Sequence, residues 1–123
     1  MVTMLHHLGA VGTEQWKVCV MYMQRVRNYP QLGKEREMQQ ILESWLQTRH
    51  ALGRKVGLST QLFASEGVVF IITIRFNDLA EFEQQRQRNR TDQGFQDYMG
   101  QIGALIRRPA SIELLEVLVP LPS

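Results

Sequence analysis

Six side chains in this sequence of 123 residues have the chemistry and the setting to serve a ligand: Tyr22, His50, Gln61, Thr73, Arg75 and Glu116. His50 falls near the end of an apolar-periodic stretch, where an imidazole could accept a proton or ligate a haem iron. The same place suits a solvated cation, because a helix carries partial negative charge at its C-terminus. Gln61, Thr73 and Arg75 share the less apolar side of two extended segments with Ser59, so together they could line a pocket. A buried arginine needs a counter-charge, which Glu113, Glu116 or an anionic ligand could supply. A structural ion pair or an exposed strand end is the simpler account of Arg75. Tyr22 can orient a ligand through its hydroxyl, or bury its ring with the hydroxyl at the rim of a core.

Other chemical signals are weaker. His6 and His7 are adjacent and have no cysteine or acidic partner at a ligand spacing, so no metal is expected. The single cysteine, Cys19 between Val18 and Val20, excludes a disulfide framework and reads as a small buried hydrophobe in a reducing compartment. A glycine-rich phosphate loop, a pair of catalytic carboxylates and a nucleophile with its base are not visible. No cofactor is therefore expected, and no residue pattern identifies a reaction.

Composition bounds what must hold these groups. With 44% apolar and 21% charged residues, the chain is a folded globular domain. Its length buries about two-thirds of the extended-chain surface, enough for one core. Lys and Arg number 14 against 12 Asp and Glu, and the eleven arginines are scattered, so a nucleic-acid stripe is not expected. Residues 1–12 lack a basic start and a sustained apolar run, and the apolar run at 67–74 is far short of the roughly 20 residues that span a bilayer. A cytoplasmic chain without membrane contact is the expectation. Residues 1–15 read as a tail or docking segment, and residues 16–120 as a single domain.

Periodicity supplies the elements. Residues 16–24 alternate with apolar side chains on both faces and predict a strand; residues 25–33 read as a loop, since Pro30 and Gly33 punctuate them. Residues 34–52 predict a helix, with Met38, Ile41, Leu42, Trp45, Leu46 and Leu52 at three- and four-residue spacing and Gly53 as its stop. Strands at 56–64 and 68–76 flank a turn at 65–67, and the second of them, VVFIITIRF, is apolar enough to lie centrally. Asp78 with Glu81 has capping-box spacing, residues 84–90 offer little to bury, and an apolar period returns at Phe95, Met99, Ile102 and Ile106. Two helical pieces with a bend at 89–92 are expected, the second capped by Thr91 or Asp92 and ended by Arg107, Arg108 and Pro109. A last strand follows at 112–119.

The order strand, helix, strand, strand, helix, strand predicts an α+β fold, a four-stranded antiparallel sheet with both helices on one face. The other sheet face would carry Cys19, Met21, Met23, Val69, Ile71, Leu115, Val117 and Val119, too apolar to stay solvated. A homodimer formed through that face would cover it.

This order, the length and the doubly apolar strands resemble the dimeric α+β barrel group of the ferredoxin-like fold. The run Asp92-Gln93-Gly94-Phe95-Gln96-Asp97-Tyr98-Met99, then Ile102 and the closing strand, is similar to NIPSNAP-like domains and to small antibiotic-biosynthesis-monooxygenase-like domains, although NIPSNAP-like domains often carry tryptophan where this chain has Phe95. The resemblance implies a ferredoxin-like β-α-β-β-α-β domain pairing as a dimeric α+β barrel. It implies either a ligand-binding dimer taking a small apolar or aromatic molecule without catalysis, or a cofactor-independent monooxygenase acting on an aromatic or quinol-like substrate. Haem-degrading members of the group pair a histidine with an asparagine and a tryptophan; His50, Asn28 and Trp45 supply the types but not a matching arrangement.

Overall fold

The computed structural model describes residues 21–61 and 67–119. The expectations for the tail at 1–15, for Trp16 and Cys19, for Leu62, Phe63 and Ala64, for most of the turn at 65–67 and for Pro120 lie outside the described residues.

The described residues form seven elements in order: β1 (Met21–Pro30), α1 (Glu35–Ala51), β2 (Val56–Thr60), β3 (Phe70–Phe76), α2 (Leu79–Thr91), α3 (Gln93–Gly103) and β4 (Ile106–Val117). The strands form one antiparallel sheet in the order β2-β3-β1-β4, the ferredoxin-like arrangement, with the helices on one face. The sheet is open and is not closed into a barrel.

β1 departs from the expected loop at 25–33. It continues as a strand to Pro30, because it is hydrogen-bonded on both sides, to β3 and to β4. Alternation explains the polar residues: Val26 and Asn28 turn to the helices, while Arg25 and Arg27 share the other face. There the Arg27 guanidinium meets Glu113 of β4 at 2.7 Å. Pro30 ends the strand, where a missing N–H costs no ladder bond, and its carbonyl accepts from Arg107 at 2.9 Å. Gly33, at φ +90°, then makes the turn into α1.

α1 buries Met38, Leu42 and Leu46 against Phe70 and Ile72 of the sheet, and Ile102 and Leu105 close the same core. Glu35 and Glu37 sit in its first turn and Arg49 and His50 in its last, as the helix dipole favours. Leu52 does not extend the buried stripe: the helix ends at Ala51, and Leu52 stands exposed before Gly53, whose φ of +78° terminates the helix.

Asp78 caps α2 by accepting from the Glu81 amide at 2.8 Å. The Glu81 carboxylate reaches back to the Asn77 amide, one residue beyond the usual capping-box partner. Asp92 divides α2 from α3 and accepts from the amides of Gly94 and Phe95. α2 buries no residue fully, as its polar middle leads one to expect.

β4 begins at Ile106, six residues before the expected start, and Arg107, Arg108 and Pro109 belong to it rather than to a helix end. Two facts make this workable. β4 is an edge strand, where proline is tolerated, and its register against β1 slips between Arg27 and Tyr29 and again before Pro30, so a bulge absorbs Pro109. The two arginines are also held locally: Arg108 lies 3.8 Å over the Tyr29 ring and Arg107 5.5 Å from it, while the Tyr29 hydroxyl bonds Ser111 at 2.9 Å. At its far end the strand stops at Val117, and Leu118 and Val119 are exposed.

Candidate functional site

The helices do not close fully on the sheet. Between them lies a cavity of about 190 Å³. Its floor is the helix-facing row of the sheet, Val26 and Asn28 of β1 with Ile72, Ile74 and Phe76 of β3. Antiparallel register places Val26 directly between Ile72 and Ile112, so this row is continuous across three strands.

One wall is aromatic. α1 presents Trp45, and α3 presents Phe95 and Tyr98 one turn apart. The Trp45 and Tyr98 rings stack with centroids 4.6 Å apart and planes 10° from parallel. Phe95 inclines to both, at 5.9 Å from Trp45 and 6.1 Å from Tyr98. A β-carbon at Gly94 would meet the Trp45 ring in ordinary contact, at 3.9 Å, and would crowd the capping Asp92 carboxylate, at 3.2 Å. Burial pushes the Tyr98 hydroxyl well above the ordinary phenol pKa, so it is a neutral hydroxyl at any ordinary pH.

The opposite wall is α2, whose cavity-facing residues Phe82, Gln85, Arg86 and Asn89 have the i, i+3, i+4, i+7 spacing of one helix face. Phe82 packs edge-on against Phe76 at 5.3 Å. The other three are polar. The Arg54 guanidinium donates to Gln85 Oε1 at 2.5 Å; its own pKa is lowered by burial and then by the neighbouring cations Arg88 and Arg49.

Arg49 joins the walls. Its guanidinium lies 3.9 Å over the Trp45 ring and 3.8 Å from Asp92, with the side chain only 13% exposed. On the floor, Asn28 is 3% exposed, and its carboxamide Nδ2 donates a long bond, 3.5 Å, to the Val26 carbonyl. A buried amide so weakly held is suited to a ligand group.

None of the six residues singled out from the sequence lines this cavity. Tyr22 and Glu116 are cross-strand partners on the helix side of the sheet. Thr73 and Arg75 lie together on the opposite face, beside Arg25 and Met23. Glu116 and Arg75 therefore point to opposite faces and do not pair, and Glu113 is taken by Arg27. His50, in the last turn of α1, lies with Nε2 at 2.8 Å from the Val56 carbonyl, to which that nitrogen donates. Gln61 is exposed just after β2, its amide bonded to the Val69 carbonyl. Sequence reasoning passed over Arg49, Gln85, Arg86 and Asn89, and met Asn28 only among the residue types of haem-degrading domains. The spacing of residues 82, 85, 86 and 89 was the available signal, masked by the low hydropathy of that helix.

Among the described residues no three His, Cys, Asp or Glu side chains gather as a metal site, and no helix is long and apolar enough to cross a membrane.

No protein-family model matches the sequence, and no curated protein matches it. Solved structures match the fold. An uncharacterised NIPSNAP domain protein from Burkholderia xenovorans aligns with a TM-score of 0.67 at 16% identity, over 83% of this chain and 99% of that one. A proposed antibiotic biosynthesis monooxygenase from Caulobacter crescentus aligns with a TM-score of 0.65 at 12% identity, over 82% and 92%. A protein of unknown function from Nitrosomonas europaea aligns with a TM-score of 0.61 at 24% identity, over 85% and 97%. These likenesses establish the fold; activity is a property of sites, which a shared fold does not transfer.

Proposed function

We propose that this chain binds a small apolar or aromatic molecule in the cavity between its helices and its sheet, without catalysis. The aromatic wall of Trp45, Tyr98 and Phe95 beside a mainly apolar floor is the observation that carries this reading. Such surfaces favour a flat apolar guest, and a 150 Å³ apolar cavity already accommodates one benzene-sized ring. At about 190 Å³ the site suits one ring or two fused rings. Calorimetric titration with 2-naphthol tests it: saturable binding is expected, abolished by Ile74→Phe, which fills the space from the floor. Absence of saturable binding refutes it.

The working unit in this proposal is a homodimer. Met21, Met23, Ile71, Leu115 and Val117 lie on the sheet face away from the helices, and a second copy packed there would bury them and form the dimeric α+β barrel. Gln61, Thr73 and Arg75 would border the space between the two sheets, with Tyr22, His50 and Glu116 as the remaining ligand candidates on the helix side.

A second reading, a cofactor-independent monooxygenase, is favoured by the aromatic cage together with the likeness to the Caulobacter protein. In that chemistry a phenol and dioxygen give a quinone and water, the substrate supplying the electrons. The step needs a base to form the phenolate. Among the described residues, the ionisable ones lining the cavity are Arg49, Arg86 and Tyr98, and burial makes Tyr98 a poor base near neutrality, so binding without turnover is the preferred reading. Oxygen uptake with a naphthol and no added metal separates the two.

A further inference from the structure

We infer, on the basis of the ligand-binding reading above, that the guest of this cavity is a small aromatic monoanion such as an arylcarboxylate, its ring held by the Trp45 wall and its charge by Arg49 and Arg86. The charged side chains that line the cavity have one sign, although Glu83 pairs with Arg86 and Asp92 with Arg49 just outside the lining. Arg49 and Arg86 line it, and among the described residues no carboxylate does. Asp92 is the acid nearest to Arg49, yet it stands 3.8 Å from Nη1 and commits its other oxygen to the amides that open α3. The Arg49 Nε donates to Thr48, which leaves Nη2 without a partner among the described residues. An arginine stacked on an aromatic ring and shielded from water retains strong, oriented donors for an anion.

The neutral polar groups support the same sign. An arginine can only donate, so the bond from Arg54 fixes Gln85 with its oxygen turned to Arg54 and its NH2 group turned elsewhere. Gln85 and Asn89 lie on the cavity face of α2 beside Arg86. Arg54 and Arg88 add positive potential behind them; burial lowers the proton affinity of Arg54, as do the neighbouring cations Arg88 and Arg49, against the opposing pull of Glu81 and Asp92. Donors and cations thus collect on the α1–α2 side, while Phe95, Ile72 and Ile74 offer only apolar surface. A neutral aromatic would leave the charged side unused; a carboxylate on the ring would meet both guanidiniums.

The test compares 2-naphthoate with its uncharged isostere 2-naphthamide by calorimetry at pH 7. The naphthoate should bind about tenfold more tightly, the effect of one charge-assisted hydrogen bond. Arg86 is exposed, and its contacts, Glu83 at 3.3 Å and the Phe82 ring at 6.0 Å, are on its own helix, so Arg86→Gln keeps the fold, and it should cut the preference severalfold. Arg49→Gln should bring it close to one. Equal affinity for the two probes overturns the anion assignment and leaves the cavity reading standing. A preference that survives both substitutions, or that collapses instead in Arg75→Gln on the other sheet face, also overturns it. If neither probe binds, the cavity reading falls and this inference with it.

Discussion

The rings of Trp45 and Tyr98 lie 4.6 Å apart and 10° from parallel, one from α1 and the other from α3. This contact ties the two helices together beside the cavity, so one pair of side chains both braces the fold and walls the cavity. Removing a ring should therefore cost stability as well as binding. Tyr98→Ala is expected to destabilise by about 3 to 5 kcal/mol, as for other buried aromatic truncations, and Tyr98→Phe by less than about 1 kcal/mol, because the ring and its stack remain. Denaturant titration of both variants checks this.

Tyr98 also sets an alkaline limit. Its folded pKa lies above the unfolded value, so the folded state holds the proton more tightly. The associated stability is complete below about pH 10 and declines as the pH rises beyond it, where the unfolded phenol ionises first. Melting temperature measured from pH 8 to 11 should fall at the top of the range, and less steeply in Tyr98→Phe.

Asp92 serves two partners, the N-terminus of α3 and Arg49. Asp92→Ala should cost about 1 to 2 kcal/mol through the lost cap. Asp92→Asn preserves the cap and should cost under about 1 kcal/mol, since the ion pair at 3.8 Å is partly solvated. A similar loss in both variants would show that the ion pair, and not the cap, carries the effect.

α2 should be the least protected helix. It buries no residue fully, and Phe82 is its apolar anchor to the sheet. Hydrogen exchange is expected to be faster at the amides of Leu79–Thr91 than in α1, where Met38, Leu42 and Leu46 are buried, and to slow when a ligand occupies the cavity. Equal protection of the two helices would contradict this.

In solution the chain should run at about twice its 14.3 kDa mass. Leu115→Arg, on the uncovered sheet face at the edge strand, should shift it to the mass of one chain with its helical content unchanged. Light scattering after size exclusion gives the answer, and an unshifted mass would place any interface elsewhere.

The topology and the faces of the strands were legible because alternation and helical spacing depend on local side chains. Ile72 and Ile74 on one face and Met23, Ile71 and Leu115 on the other follow from a period of two. The limits of β1 and β4 were not, since proline and paired arginines usually mark loops and helix ends. Only tertiary partners reveal otherwise: Glu113 for Arg27, and the Tyr29 ring for Arg107 and Arg108. The cavity was hidden for a related reason. Trp45, Phe95 and Tyr98 look the same in sequence whether their helices close on the sheet or stop short of it, and Arg49 gains its role only where Asp92 and Trp45 converge. The candidates read from strand polarity, Thr73 and Arg75, belong to the face away from the helices.

The central claim is that the space between helices and sheet receives an aromatic guest. The most direct measurement is a nuclear magnetic resonance titration with 2-naphthol, following backbone amides and the Trp45 indole in the wild-type chain and in Ile74→Phe. The account predicts saturable shifts centred on Trp45, Phe95, Tyr98 and Asn28, lost in Ile74→Phe. Shifts centred instead on Met23, Arg75 and Leu115, or undiminished in Ile74→Phe, would contradict it.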